Sequence, residues 1–576
     1  MFLRSAMALS RRSLPDHVRL FLAVASAYVL LSGFYGVMGY LANPQARIAP
    51  TDSAFYYMWV RSALFDRDID FTNEIAHYIG QQELGPNTTA LGRQGNVHSL
   101  GPGLFWAPAV ALAHGVSLTA NALGASLPTD GFGGLYHAFV WAANSLYALL
   151  GFYFMGRVLL RFMSLGAAVF ASMAVLLASQ MTYYLWPLLP MAHNTAFLCV
   201  ALFLHLLLSR GVCWQAALCG SLVFLTRWQD VIYLTPMAVM SLDELRRQRE
   251  LKPWLKRNAA LAAVFLLGVS PQLLAWKHLY GSYVTVPHGS GYMDLGRMEF
   301  FNILFSLRRG LLLWHPILAL GFVGLAFLWK KDQLLCWSLS LALALQLVVC
   351  SGAYAWWAGW SFGLRFFIGA LPILALGIGL CYERIRPWKL ARAGAWVAFV
   401  LLAIWNQLFI FQYLHGLIDR EHDITAEEFF TQKFQLPERF RAEEAFRAAR
   451  MIYLQGRPDV AINPAREAFA AFPRVEKLGV MAGLVAVRLG DRALGWAAFQ
   501  HLLARHPEDE LYKSGAVLFA AGFPDRLEAI ASVVEQRRAA PQIMRDQGLA
   551  VEPTGIVVHQ PFIQLLEAKL QATYIN

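Results

Sequence analysis

Long apolar runs separated by short loops are the feature that most restricts how this chain can fold. The first run, 20–41, has about the 20 residues that an α-helix needs to cross the hydrocarbon core of a membrane. Ten further apolar runs lie at roughly 134–157, 164–184, 190–209, 212–227, 230–243, 258–277, 310–329, 333–352, 364–382 and 394–414. With 57% hydrophobic and only 15% charged residues, the composition is far from that of a soluble domain. The sequence therefore predicts an all-α, polytopic membrane bundle of about eleven transmembrane helices.

The net charge of +11 comes largely from Lys and Arg residues in short loops, which is a signal of topology. When the predicted spans alternate across the membrane, the basic clusters share one side: Arg4, Arg11, Arg12 and Arg19; Arg157 and Arg161; Arg210; Arg246, Arg247, Arg249, Lys252, Lys256 and Arg257; Lys330 and Lys331; Arg384, Arg386, Lys389 and Arg392. The positive-inside rule makes that side cytoplasmic, together with the N-terminus, 1–19. We therefore expect a multi-pass protein of a bacterial inner membrane, in contact with lipids, with no nucleic-acid partner. Its loops 42–133, 280–309 and 356–360 and its C-terminal region would be periplasmic.

The first outer loop, 42–133, is acidic and aromatic, which is unusual between membrane helices. Its segment 102–115 is apolar but only about 14 residues long, which predicts a helix that lies in the interface instead of crossing the membrane. The sequence D-x-D-x-D at Asp66, Asp68 and Asp70 favours a solvated helix end and turn, because Phe71 stands where a calcium loop needs glycine. The sequence leaves open whether a divalent ion (Mg, Mn, Ca or Zn) binds in this loop. The candidate ligands for such an ion are Asp52, Asp68, Asp70 and His98.

Charges and an internal repeat return after the last apolar run. Gly456 and Gly490 occupy equivalent places, as do Pro473 and Pro507, and Gly522 begins a shortened third copy. This pattern resembles tetratricopeptide repeats. It would provide either a binding surface for a protein or an acceptor, or a rigid lid over the outer loops. The predicted parts of the chain are the membrane domain, 20–415; a linker, 416–440; the helical repeats, 441–540; and a tail, 541–576.

Five motifs within residues 15–415 together suggest a family. They read TDSAFYYMWVRSALFDRDIDFTNE, NVHSLGPGLFWAP, LTRWQD, FSLRRGLLLWHPILALGFVGLA and WWAGWSFGLRFF. The set resembles the GT-C fold glycosyltransferases that use polyprenyl-phosphate sugars, a group that includes protein O-mannosyltransferases, aminoarabinose transferases and lipid A galacturonosyltransferase-like proteins. Relatives commonly carry Asp-Glu where this chain has Asp52-Ser53, and Lys where His98 stands. The resemblance implies transfer of a sugar, with inversion, from a polyprenyl-phosphate donor to a glycan, lipid or protein on the outer face.

The resemblance also implies roles for individual residues. Asp52 would be the general base that takes the acceptor's proton, although a carboxylate at this position can also cap the following helix. Arg365 would bind the donor phosphate, because a guanidinium matches phosphate geometry and stays charged near a bilayer. Trp357 and Trp360 would line a pocket for lipid or sugar; otherwise they form an aromatic belt beside a snorkelling arginine.

The remaining substrate-contact candidates come from the same motifs. His98 and Tyr57 belong to the first outer loop, and Arg308 lies on the outer side against the overall charge bias, which suggests an anionic ligand. Arg227 and Asp230 sit between two short apolar runs, where charges are costly, so they either contact substrate or form a structural ion pair.

Two other classes of function are compatible with a membrane bundle. A transporter or flippase of lipid-linked saccharides would need polar residues through the middle of its spans and usually a repeated half, and the sequence displays neither. A membrane scaffold would depend on the helical repeats alone. No Walker A, GxSxG or HExxH motif occurs, so nucleotide hydrolysis, serine hydrolase chemistry and zinc peptidase chemistry lack support.

Overall fold

The computed structural model describes residues 14–42, 52–80, 84, 88–185, 190–289, 291–359, 361–414, 418, 424–520 and 560–575. These residues form an all-α protein, as the sequence predicted. Within these ranges no β-strand occurs, and the β-type pairing is limited to isolated bridges, Thr88–Gln94 and Met293–Ala353. The chain divides into two compact units: Met1–Ile410 with Arg420–Asp423, and Phe411–Asp419 with Ile424–Asn576.

The first unit is a bundle of helices of very unequal length. Its described helices are α1 (Asp16–Ala42), α2 (Asp52–Arg61), α3 (Thr72–Tyr78), α4 (Gly101–Ala122), α5 (Gly134–Leu159), α6 (Leu165–Ala178), α7 (Met181–Leu185), α8 (Ala192–Arg210), α9 (Trp214–Thr226), α10 (Thr235–Gln248), α11 (Leu251–Tyr280), α12 (Phe300–Phe305), α13 (Leu311–Trp314), α14 (Ala319–Leu325), α15 (Gln333–Ser351), α16 (Leu371–Ile385) and α17 (Lys389–Leu414). Short 3-10 segments join several of them, at Trp228–Leu234, Pro316–Leu318, Ala326–Lys330 and Arg365–Phe367.

Seven described helices are long and apolar enough to cross a membrane, judged by length and composition: α1, α4, α5, α8, α11, α15 and α17. Other predicted spans correspond to shorter or interrupted helices. The run 310–329 is divided where Pro316 follows His315, and the run 164–184 is divided at Ser179 and Gln180 between α6 and α7. The breaks in backbone hydrogen bonding are tolerated because they are buried in protein. The Asn406 side chain, for example, donates to the carbonyl oxygen of Ser179 (2.9 Å).

Helix α4 is longer than the sequence predicted. Its 22 residues include the apolar segment 102–115 and continue through a polar stretch, where the Thr119 hydroxyl donates back to the carbonyl oxygen of Gly115 (2.8 Å). The predicted length of about 14 residues is therefore wrong. The helix runs antiparallel to α5, because Tyr147 Oη donates to Phe105 O (2.5 Å) and Tyr136 Oη contacts a ring nitrogen of His114 (2.9 Å). It thus lies along the first half of α5.

Three of the basic clusters that were predicted to be cytoplasmic lie near one another in this bundle. His205 interacts electrostatically with three residues of these loops: Arg157, Arg161 and Arg210. Lys331 lies in the same region, because its ammonium group donates to the carbonyl oxygen of Phe162, next to Arg161. These three clusters therefore share one region of the bundle.

The second unit is built from successive antiparallel helices. Those described are α18 (Ala426–Phe430), α19 (Leu436–Leu454), α20 (Pro458–Ala471), α21 (Glu476–Leu489), α22 (Arg492–Arg505), α23 (Glu510–Ala520) and α24 (Gln560–Ile575). Equivalent helices begin 34 residues apart, α20 and α22 at Pro458 and Arg492, and α21 and α23 at Glu476 and Glu510. The predicted linker includes helical residues, since α19 begins at Leu436, and the tail contains α24. Gly522 lies outside the described residues.

Small residues allow the repeat helices to pack closely. A Cβ on Gly479 would come within 3.0 Å of Leu502, and one on Gly483 within 3.0 Å of Phe499. Gly490 ends α21 in the left-handed conformation (φ +69°), which glycine adopts without steric cost.

Candidate functional site

Two charged residues that are far apart in sequence form an ion pair at the start of α2. Asp52 is the first residue of that helix, and its Oδ2 lies 2.6 Å from Nη1 of Arg365, 313 positions later. The side chains keep 28% and 17% of their exposure, so the pair is partly accessible. Burial raises the pKa of Asp52, but the Arg365 guanidinium and the nearby imidazole of His98 outweigh it and hold the pKa below its ordinary value. Asp52 is therefore ionised at neutral pH.

His98 lies beside this pair because the turn that carries it is bound to α2. Its Nε2 is 3.8 Å from Oδ1 of Asp52 and its ring packs on Tyr56, with centroids 4.7 Å apart. Trp59 Nε1 donates to the His98 carbonyl oxygen (3.0 Å), and the side chain of Asn96 accepts from the His98 amide (3.0 Å). Burial lowers the pKa of His98 despite the carboxylate of Asp52, so the imidazole is neutral at neutral pH.

Arg365 is held by a turn whose backbone requires glycine. Gly363 has φ +59°, and a Cβ on it would lie 2.3 Å from Nε2 of the buried His315. Gly359 also has a positive φ, +63°, but nothing lies within 4 Å of its Cβ position. The Tyr184 hydroxyl accepts from the Phe362 amide (3.1 Å) and so fixes the same turn from α7. The guanidinium is therefore directed at Asp52 by a rigid, well-packed segment.

The second outer loop reaches the same site, which the sequence did not identify. His288 stacks on Tyr292 with ring centroids 4.3 Å apart, and both residues interact electrostatically with Asp52 and Arg365. The carbonyl oxygen of Tyr292 accepts from the amide of Tyr354 (2.8 Å), which joins this loop to the segment that leads to Arg365. Only their position in a loop predicted to lie on the outer side could have suggested these residues.

Arg308 and Trp357, both predicted to contact substrate, are brought together. The Arg308 guanidinium carbon lies 3.9 Å from the centroid of the Trp357 ring, which is a close cation–π contact. The neighbouring Arg309 is fully buried and stacks on Trp314 at 5.0 Å, as a structural residue would. Trp360 lies outside the described residues.

Arg227 and Asp230 form a second, more deeply buried charged group. Arg227 follows α9 and lies 5.6 Å from the ring of Phe366, the residue next to Arg365. Asp230 is in the 3-10 segment Trp228–Leu234 and has no exposed surface. The Asp230 amide donates to the Arg227 carbonyl oxygen (2.8 Å), and the two side chains interact electrostatically, but their described atoms form no mutual hydrogen bond or contact ion pair within 4.0 Å. The structural ion pair that was the alternative interpretation is therefore not formed by direct contact.

Tyr57 does not face the site. Its hydroxyl donates to the Gly131 carbonyl oxygen (2.7 Å), and its ring is fully buried beside His137. Tyr56 occupies the site-facing position instead, and it interacts electrostatically with Asp52 and the other charged residues of the site. Residues four apart share a helix face, so the spacing from Asp52 could have indicated Tyr56 and not Tyr57.

The aspartates of the D-x-D-x-D sequence are engaged in local hydrogen bonds. Asp68 accepts from the Ser62 hydroxyl (2.6 Å), Asp70 accepts from the Thr72 amide (3.0 Å), and Asp66 contacts the buried Arg61. Of the four candidate metal ligands, Asp52 and His98 lie together. Throughout the described ranges, no group of three or more His, Cys, Asp or Glu side chains is placed to hold a metal ion.

Arg61 and Glu74 were not predicted to interact, yet they form the buried centre of the first outer loop. Arg61 Nη1 donates to Oε1 of Glu74 (2.8 Å), and Arg61 Nε donates to the carbonyl oxygen of Asp130 (3.1 Å). Burial raises the pKa of Glu74 to about 7, against the opposing effect of Arg61. This network ties α2, α3 and the segment before α5 into one body that carries Asp52.

No protein-family model, curated protein or solved structure matches the chain. The function of the site must therefore be inferred from its own chemistry. That chemistry consists of an ionised carboxylate, guanidinium groups from separate segments, a neutral imidazole and aromatic rings.

Proposed function

We propose that the protein is a membrane glycosyltransferase that moves a sugar from a polyprenyl-phosphate donor to an acceptor on the periplasmic face of a bacterial inner membrane. The observation that carries the proposal is the contact between Asp52 and Arg365, which brings a carboxylate and a guanidinium together at one site. The acceptor would be a glycan, a lipid or a protein.

The reaction follows from the chemistry of the pair. The acceptor hydroxyl attacks the anomeric carbon of the donor, its proton passes to the Asp52 carboxylate, and the bond from the anomeric carbon to the phosphate oxygen breaks. Polyprenyl phosphate leaves with the bonding electrons, and Arg365 stabilises the negative charge that develops on it. One displacement inverts the anomeric centre. Arg308, held on Trp357, provides a further cationic group for an anionic head group.

The arrangement of charges supports the proposed membrane location. The site-bearing loops belong to one end of the predicted topology, and the basic loops around Arg157 and Lys331 lie together at the other. A lipid-linked donor presents its phosphate at the membrane surface, where loops that follow apolar helices can reach it.

A binding and turnover experiment tests the proposal. Purified protein in lipid nanodiscs is mixed with polyprenyl phosphate or with polyprenol, which lacks the phosphate, and transfer is followed with a radiolabelled polyprenyl-phosphate sugar. We expect the phosphate-bearing lipid to bind more tightly than polyprenol, Arg365→Gln to remove this preference, and Asp52→Asn to abolish transfer. Asp70→Asn is the matched control, because the Asp70 carboxylate belongs to the same outer loop but accepts a hydrogen bond within a turn. This variant should leave the preference for the phosphate-bearing lipid and the rate of transfer unchanged.

The same experiment separates the enzyme from a flippase or a scaffold. A flippase would bind and move lipid-linked saccharide equally well with asparagine at position 52. A scaffold would show no preference for the phosphate-bearing lipid. Either result would refute the proposed activity.

A further inference from the structure

Asp230 is a fully buried carboxylate whose hydrogen-bonding capacity is unfilled. It has 0% exposure, and no hydrogen-bond donor among the described residues reaches Oδ1 or Oδ2. Two neighbouring donors are also buried without a hydrogen-bond partner among the described atoms: Nη1 of Arg227 and the hydroxyl of Tyr233. Buried polar groups are nearly always hydrogen-bonded because leaving them unpaired is costly, so three such groups in one turn indicate a binding function.

This turn belongs to the same site as Asp52. Tyr56 interacts electrostatically with Asp52, Arg365, Arg227 and Asp230, so both charged pairs lie around one tyrosine. Exposure decreases from the first pair to the second: the Asp52 side chain keeps 28%, whereas Arg227 keeps 6% and Asp230 none. Asp52 and Arg365 thus form the accessible part of the site, and Asp230 and Arg227 form its floor.

Gly369 packs closely against one side of the carboxylate. A Cβ at this glycine, which lies two residues before α16, would come within 2.9 Å of Asp230 Oδ2 and 2.8 Å of the Tyr233 ring. The carboxylate is therefore held in place by backbone and ring contacts while its oxygens still lack donors.

We propose that Asp230 and Arg227 bind the hydroxyl groups of a neutral sugar, the sugar of the polyprenyl-phosphate donor. The proposal rests on the glycosyltransferase function proposed above and adds the class of sugar. Sugar hydroxyls donate to a carboxylate and accept from a guanidinium, so a polyhydroxylated ring fills both Asp230 oxygens and Arg227 Nη1.

The opposite charges of the floor favour a neutral sugar over a charged ligand. A phosphate would be repelled by Asp230 and has a better partner in Arg365. A uronic acid would place its carboxylate beside Asp230 as well as Arg227, and an amino sugar would place its ammonium group beside Arg227 as well as Asp230, so each charged sugar would incur a repulsion together with its attraction. A neutral sugar introduces no charge into the floor.

A comparison of two lipids on two variants tests this assignment. Dissociation constants are measured in nanodiscs for polyprenyl phosphate and for the same lipid carrying a neutral hexose, with wild type, Asp230→Asn and Arg365→Gln. Asparagine keeps the size of Asp230 but replaces one acceptor with a donor. We expect Asp230→Asn to weaken binding of the hexose-bearing lipid by about tenfold or more, the effect of losing a charged hydrogen bond, and to change binding of the plain lipid less than about twofold. Arg365→Gln should weaken both lipids by similar factors.

Several results would overturn the assignment. If Asp230→Asn changes both lipids equally, or neither, the carboxylate is satisfied by water or by a proton and does not bind the sugar. If wild type prefers a uronic acid or an amino sugar to the hexose, the charge argument is wrong. Thermal melting of each variant separates these outcomes from unfolding, and Tyr233→Phe, which removes only a hydroxyl, gives a second variant of the same floor. Failure of the underlying function looks different, because wild type would then bind neither lipid better than polyprenol.

Discussion

Replacing Asp52 with asparagine should have opposite effects on turnover and on donor binding. The substitution keeps the size of the side chain but removes the charge that pairs with Arg365 at 2.6 Å. Turnover should fall because the base is lost. Donor binding should tighten, because in the wild type the phosphate has to displace Asp52 from the guanidinium that both groups use.

The size of each effect follows from the contact. Loss of a general base typically reduces turnover by about 10²- to 10⁴-fold. A hydrogen bond to a charged group contributes roughly 1.5–3 kcal/mol, and the lower end applies here because the Asp52 side chain keeps 28% of its exposure. About 1.5 kcal/mol corresponds to roughly tenfold tighter binding of polyprenyl phosphate.

The assay is equilibrium binding of polyprenyl phosphate in nanodiscs, alongside single-turnover transfer from the labelled donor. Asp52→Asn is compared with Asp70→Asn, whose carboxylate makes only turn hydrogen bonds in the described part of the chain. Weaker or unchanged phosphate binding by Asp52→Asn would refute the competition for Arg365. Tighter binding with unchanged turnover would refute the role of Asp52 as the base.

Three further predictions concern the structure around the site. Gly363→Ala should abolish donor binding, because its Cβ would lie 2.3 Å from a buried imidazole nitrogen. Gly359→Ala has a similar φ and open space around the Cβ, so it should lower the free energy of unfolding by only the ~1–2 kcal/mol of left-handed strain, as measured by thermal melting. Glu74→Gln should flatten the pH dependence of stability. Because burial raises the pKa of Glu74 to about 7, the stability that this side chain contributes is fully present below about pH 4.5 and is lost as the pH rises through about 7, as melting curves across this range would show. A cysteine at exposed Asp70 should react with a membrane-impermeant maleimide in intact spheroplasts and one at Arg247 only after permeabilisation; the reverse pattern would invert the topology.

The sequence predicted which segments of the bundle are apolar better than it predicted where helices are continuous. Hydropathy measures the composition of a window and says nothing about backbone hydrogen bonds. The run 310–329 therefore looked like one span although Pro316 cannot continue a helix past His315, and the proline was a readable signal. The break after α6 had no such signal, because it depends on Asn406, more than 200 residues away, for its hydrogen bonds.

The sequence allows prediction of those site residues whose position depends on membrane topology or on helical spacing. Asp52 and Arg365 were placed on the same side by alternation of the spans, and the structure brings them together. Their direct contact could not be predicted, because it depends on the conformation of the turn at Gly363. Tyr56, not Tyr57, could have been predicted from the sequence, since it lies four residues after Asp52 and therefore on the same face of the helix.

The two charged pairs of the site differ in a way that suggests how the product leaves. Asp52 and Arg365 are in contact, so in the proposed mechanism the donor phosphate would separate them. Asp230 and Arg227 have side-chain atoms without a hydrogen-bond partner among the described residues, and the proposed sugar would supply those partners. The hydrogen bonds that the sugar would form with Asp230 and Arg227 would offset the free-energy cost of separating Asp52 from Arg365. A lipid without the sugar would not have this compensation. After transfer, polyprenyl phosphate no longer has this compensation, and closure of Arg365 onto Asp52 favours its release. Proposed donor binding and product release would thus be set by the same four side chains.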